Sequence, residues 1–117
     1  MFLHEIRDYC LSLKGADERF PFDDVTLVFT IGNKIFALID TVTCESINLK
    51  CDPEKAIELR ENYQAVLPGY HMNKKHWNTI QLNKDIQKAD LFGLIDHSYN
   101  LVFNSLSKKL QHEITTR

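Results

Sequence analysis

Residues 25–40 constrain this chain more than any other stretch. Leu27, Phe29 and Ile31 alternate with Thr26, Val28 and Thr30, Gly32-Asn33-Lys34 supplies a turn, and Ile35–Asp40 runs on as a second extended segment. A period of two in β-branched and aromatic residues, broken by Gly and Asn, predicts a β-hairpin. Both arms are apolar on nearly both faces, so part of the sheet they build is expected to be covered on both sides.

The flanking segments change period. Leu3, Ile6, Cys10 and Leu13 recur at helical spacing, with Phe2 and Tyr9 beside the stripe and Gly15 as a stop signal, which predicts a first amphipathic helix. After a polar loop at 41–45, Ile47, Leu49 and Cys51 alternate with Asn48 and Lys50 as a third strand with one wet face. Asp52-Pro53-Glu54 then starts a helix, with a capping carboxylate, a proline suited to the first position and a glutamate that complements the dipole. Ala56, Leu59 and Tyr63 form its inward stripe, and it is expected to stop before Leu67-Pro68-Gly69.

Residues 69–82 read as a second hairpin around the polar tip Asn73-Lys74-Lys75-His76; a loop and a single strand is the alternative. From Lys88 onward Leu91, Leu94, Ile95, Ser98, Val102 and Leu106 make one long helical stripe, and Lys108–Arg117 reads as a short helical extension. The order is helix, three strands, helix, two strands, helix: an α+β chain with one domain over residues 1–117.

A chain of 117 residues supports its own core, and 44% hydrophobic and 26% charged residues are ordinary globular values. The N-terminus lacks the pattern of a signal peptide, and the longest aliphatic and aromatic run, Ile35–Ile39, is far too short to span a membrane. Cys10, Cys44 and Cys51 include no Cys-x-x-Cys pair, so they are expected as packing residues in a reduced, cytoplasmic protein. Net charge is −2, but residues 1–68 carry 7 Lys/Arg against 12 Asp/Glu while residues 69–117 carry 7 against 4. Such asymmetry marks an electrostatic face unless folding interleaves the two halves.

Few residues form a constellation that could carry chemistry. Asp96-His97-Ser98 holds the letters of a nucleophilic triad, yet consecutive helical residues point about 100° apart and cannot line up in relay. His71 and His76 need not converge on a hairpin, so no metal site is expected, and the four scattered glycines form no phosphate loop. No catalysis and no cofactor are expected. The segment with most character is Gly69–Asn78, which holds two lysines, two histidines and two large aromatics. It reads either as a basic tip for phosphates or as a solvated turn anchored by Trp77, and Lys34 puts a second basic residue at the tip of the first hairpin.

Ile47-Asn48-Leu49-Lys50-Cys51-Asp52-Pro53, Pro68 through Thr79 with its histidine–lysine–tryptophan run, and Leu94-Ile95-Asp96-His97-Ser98-Tyr99 resemble the MmcQ/YjbR family of small bacterial proteins. Phe20-Pro21-Phe22 and the first hairpin extend the resemblance over almost the whole chain. It implies an α-β-β-β-α-β-β-α sandwich whose antiparallel sheet is covered by helices. It also implies DNA binding, by analogy with a double-wing domain, and brings no catalytic residues.

On the strength of this resemblance DNA binding is the leading expectation, and a protein- or ligand-binding groove is the alternative. In the first, Lys34, Lys74 and Lys75 contact the phosphates of double-stranded DNA while His71, Asn73 and His76 add hydrogen bonds. Arginine is absent from both tips, which predicts weak sequence preference. In the second, a groove around Tyr70, Trp77 and His97 takes a protein partner or a small ligand.

Overall fold

The computed structural model describes residues 3–70 and 72–117, leaving out Met1, Phe2 and His71. In chain order the elements are α1 (Leu3–Ser12), β1 (Asp17–Arg19), β2 (Thr26–Ile31), β3 (Lys34–Asp40), β4 (Ser46–Lys50), α2 (Pro53–Asn62), β5 (Val66–Pro68), β6 (Trp77–Gln81), α3 (Lys88–Ser105) and α4 (Lys108–Thr115). The strands form one antiparallel sheet in the order β1-β2-β3-β4-β6-β5. The expected α+β order is present, with a three-residue edge strand and a separate last helix added.

Strand alternation sorts the two sheet faces. Leu27, Ile39, Ile47, Ile80 and Val66 sit side by side across five strands, and all are buried. They meet Leu91, Leu94, Ile95 and Val102 of α3, Ile6 and Cys10 of α1 and Ile114 of α4 in a shared core. One register position along, Val28, Leu38, Asn48, Thr79 and Leu67 line up on the opposite face. Coverage there is partial: Val28 and Thr30 are buried, Ile35 and Leu38 are half-buried, and Leu67 is exposed.

The β2–β3 turn takes left-handed backbone at Gly32 (φ 56) and Asn33 (φ 66). Two such residues match the twist of a two-residue hairpin. A bulge then interrupts β3, because Phe29 pairs with Ala37 while Thr30 pairs with Ile35, so Phe36 is the extra residue. Phe36 goes into the core, edge-on to Tyr99 at 5.5 Å. Ser98 of α3 repairs the ladder at this point: its hydroxyl donates to the Phe36 carbonyl (2.6 Å) and accepts from the Lys50 N–H (2.9 Å). A buried serine in an apolar stripe is stable here because both of its hydrogen-bonding roles are filled.

Three segments depart from the sequence reading. Asp17–Arg19 pairs with β2 although it is wholly charged, so no apolar alternation announces it. The helix stops before Leu67 as expected, but Val66–Pro68 then forms β5. Of the hairpin expected over 69–82 only β6 is a strand, with Tyr70 and Met72 outside any strand, which is the alternative of a loop and a single strand. The loop returns where the Gly69 N–H donates to the Trp77 carbonyl; a Cβ at Gly69 would lie 2.9 Å from Trp77 Cβ. At the C-terminus the chain breaks at Leu106 and restarts as α4, capped by the Ser107 side chain, which accepts from the Leu110 N–H. The Asp52 cap and Pro53 at the start of α2 are as expected.

Candidate functional site

On the sheet face opposite the core, strands and loops alone enclose a groove of about 560 Å³. Leu38 and Asn48 form its floor, Asp40 and Ser46 stand at one end, and Phe22, Tyr70 and Met72 form its rim. Phe22 is 64% and Tyr70 71% exposed, high values for large aromatic side chains. A polar chain crosses the floor: the Tyr70 N–H donates to the Thr79 hydroxyl, which donates to Asn48 Oδ1. A second depression of about 240 Å³, bordered by Glu45, Thr79, Gln81 and Lys84, shares Ser46 with the first.

Several carboxylates gather at one end of the strands and several lysines at the other, although Lys84 follows β6 at the first end and Asp52 follows β4 at the second. At the end where β2 and β4 begin and β3 ends lie Asp23, Asp24, Asp40 and Glu45. Asp23 accepts N–H bonds from Thr26 and Val25, and these hold its carboxyl below the usual range. Lys34, Lys50 and the Lys74-Lys75 tip lie at the other end, because β3 and β6 start there and β4 ends there. The two basic tips expected from the sequence thus share one end of the sheet, with only β4 between their strands.

The residues proposed for DNA fare differently within that arrangement. Lys34 and Lys75 are exposed, whereas the Lys74 ammonium is tied to the Gly69 carbonyl at 2.9 Å. Asn73 builds its own turn by accepting from the Lys75 N–H, and His76 is half-buried with its carbonyl bonded to the Cys51 N–H. His71 lies outside the described residues. The three residues expected around a common groove are also divided. Tyr70 rims the outer groove, Trp77 is half-buried beside it by strand alternation, and His97 lies on the helical side in a narrow cleft with Cys51, Leu59 and Leu94.

His97 has a defined task in that cleft: its Nε2 accepts the Asp52 N–H at 3.1 Å. Burial, aided by the nearby charge of Lys55, lowers its pKa and favours the neutral ring that can accept this bond; Asp52 opposes the shift. Its neighbours point elsewhere, Asp96 accepting from the Tyr9 hydroxyl and Ser98 bridging the sheet. The triad letters therefore serve three separate structural bonds. Burial raises all three thiols, Cys10 to about 12, so thiolate chemistry is disfavoured. Among the described residues no three His, Cys, Asp or Glu side chains gather as a metal centre requires. No helix there is long and apolar enough to cross a membrane.

Arg60, near the end of α2, escaped the sequence reading. Its Nε donates to Asn78 Oδ1 at 2.7 Å, and Nη2 donates to the carbonyls of Lys74 and Trp77. It thereby fixes the loop that carries Tyr70 and Met72. The only advance signal was a long cationic side chain in the last helical turn before a loop. Phe22, Met72 and Asp40 were missed for another reason: strand pairing brings them together from three segments.

These features define a small α+β protein with one sheet face packed by helices and the other left open as a groove. The chain belongs to the YjbR family, whose model matches residues 11–101. It is 40% identical over 114 residues to the uncharacterized protein YbdF of Escherichia coli O157:H7, covering 96% of this chain and 93% of that one. To the uncharacterized protein YyaQ of Bacillus subtilis (strain 168) it is 33% identical over 112 residues, with 86% and 93% covered. The crystal structure of Deinococcus radiodurans protein DR2400, a DUF419 domain, matches with a TM-score of 0.92 at 37% identity, over 97% of this chain and 88% of that one. A Pseudomonas syringae crystal structure matches at 0.73 and 27% identity, over 87% and 99%.

Proposed function

We propose that this protein is a non-catalytic binding module that takes its ligand in the groove on the outer face of the sheet. The observation that carries this reading is the pair of exposed aromatics, Phe22 and Tyr70, standing over a floor of Leu38 and Asn48. Concave surfaces that combine apolar walls with a few placed polar groups are the usual form of a ligand site, and aromatic side chains are enriched among the residues that dominate binding energy once a partner buries them. The separate duties of Asp96, His97 and Ser98 and the raised thiols support the absence of catalysis.

DNA binding is the second reading, favoured by the exposed Lys34 and Lys75 at one end of the sheet. It is the weaker of the two, because Lys74 and Asn73 are engaged within the protein and the described groove lining holds no basic side chain. One NMR experiment separates them. The ¹⁵N-labelled protein is titrated with an aromatic fragment set and, separately, with a random-sequence DNA duplex at about 50 and 200 mM salt. The groove reading expects fragments to shift the amides of Leu38, Asn48 and Thr79, and the shifts to vanish in Tyr70→Ala. Fragments that leave those amides still, together with a salt-sensitive duplex response at Lys34 and Lys75, would replace it with the DNA reading.

A further inference from the structure

We infer that the occupant of the outer groove is an extended segment of a partner protein that carries a lysine or arginine beside apolar residues. This inference rests on the groove reading above and names the chemistry of its ligand. Asp40 is the one acidic residue in the lining, which among the described residues holds no Lys, Arg or His. Its Oδ1 accepts the N–H groups of Val42 and Thr43, which fixes the carboxylate in place. Oδ2 has neither a hydrogen-bond donor nor an ion-pair partner among the described residues. A carboxylate held in position in the groove that Phe22 and Tyr70 also line suits a cation with an apolar stem, which can meet the charge with its head and the apolar lining with its stem. An anionic ligand would meet Asp40 without compensation.

The shape of the surface favours a chain segment over a lone amine. Ser46 lines both the groove and a second depression that holds Glu45, Gln81 and Lys84, so a segment that reaches past Ser46 meets one further carboxylate and one lysine. Asn48 Oδ1 is occupied by the Thr79 hydroxyl, which leaves the Asn48 Nδ2 donors available for a peptide carbonyl. Adding a strand at the sheet edge is a poor alternative. The edge strands β1 and β5 have three residues each, the first fully charged and the second ending in Pro68. The segment is therefore recognised through its side chains, on the face of the sheet.

The test pans a random-peptide phage library on the wild-type protein and measures synthetic versions of the enriched peptides by fluorescence anisotropy. Asp40→Asn keeps the Oδ1 acceptor of the turn but removes the charge, and circular dichroism checks its folding. Enriched peptides should carry Lys or Arg next to an aromatic or aliphatic residue, and should bind Asp40→Asn at least about tenfold more weakly. Neutral or acidic peptides that lose binding to Phe22→Ala/Tyr70→Ala would overturn the cation and leave the groove standing. No enrichment over the blank support, or binding indifferent to both variants, would remove the groove as well. Arginine amide binding as tightly as the peptides would overturn the segment, as would a wild-type homodimer in sedimentation that Tyr70→Ala dissociates.

Discussion

The same alternating strands write both faces of the sheet, yet the faces are held by different physics. On the inner face Leu27, Ile39, Ile47, Ile80 and Val66 are closed under the helices, where every methyl group removed leaves a void. On the outer face Asn48 and Thr79 occupy the same strands and bond to each other, and the large apolar side chains nearby, Phe22 and Tyr70, stand mostly in solvent. Burial on one side supplies stability, whereas on the other much of the large apolar side-chain surface stays in contact with solvent.

Substitutions on the two faces should sharpen that contrast. The largest effect is expected at Phe36, fully buried at the β3 bulge: Phe36→Ala should destabilise by about 3–5 kcal/mol in urea unfolding. Next is Ser98→Ala, which leaves the Lys50 N–H and the Phe36 carbonyl without their partner. A loss of about 2 kcal/mol is expected, with faster hydrogen exchange at the Lys50 amide; unchanged exchange would show that the bridge is not formed in solution. Arg60→Met should cost about 1–2 kcal/mol, because Asn78 is buried and Arg60 is its hydrogen-bond donor, and should broaden the amide resonances of residues 73–76.

The fourth expectation concerns pH. The folded pKa of His97 lies below the ordinary 6.5, so the unfolded chain takes up the proton more readily. The contribution of His97 to stability is then complete above that ordinary value and is lost as pH falls through the lower folded value. Protonation also removes the acceptor for the Asp52 N–H. Thermal midpoints measured down that range should fall more steeply in the wild type than in His97→Gln, whose amide oxygen accepts without titrating; parallel curves would count against it. The smallest effect is expected on the outer face, where Phe22→Ala should change stability by less than about 0.5 kcal/mol. A large loss there would erase the distinction between the faces.

Legibility in the sequence followed the same division. The β2–β3 hairpin, α1, the capped start of α2 and the α3 stripe were readable because burial imposes a strict period on them. Asp17–Arg19 was not, since an edge strand made of charges has no apolar period. Nor was the bulge, because Ile35–Ile39 is apolar throughout and hides which residue is the extra one. The site was half legible. Tyr70 was named, but its company was misjudged, since His97 belongs to the helical side and Phe22, Met72 and Asp40 converge only once strands pair. No local signal reveals that the Lys74 ammonium turns inward to a carbonyl.

The grip of Arg60 on the β5–β6 loop has a consequence for how this scaffold can change over time. Two of its three acceptors are main-chain carbonyls, which every amino acid supplies. The side chain at the exposed position 75 can therefore be exchanged without releasing the loop, whereas exchange of Lys74 removes its bond to the Gly69 carbonyl and loss of Arg60 or Asn78 would loosen the loop further. The anchoring of the loop thus depends largely on groups that a substitution at position 75 does not touch, so this position can vary while the frame beneath stays fixed.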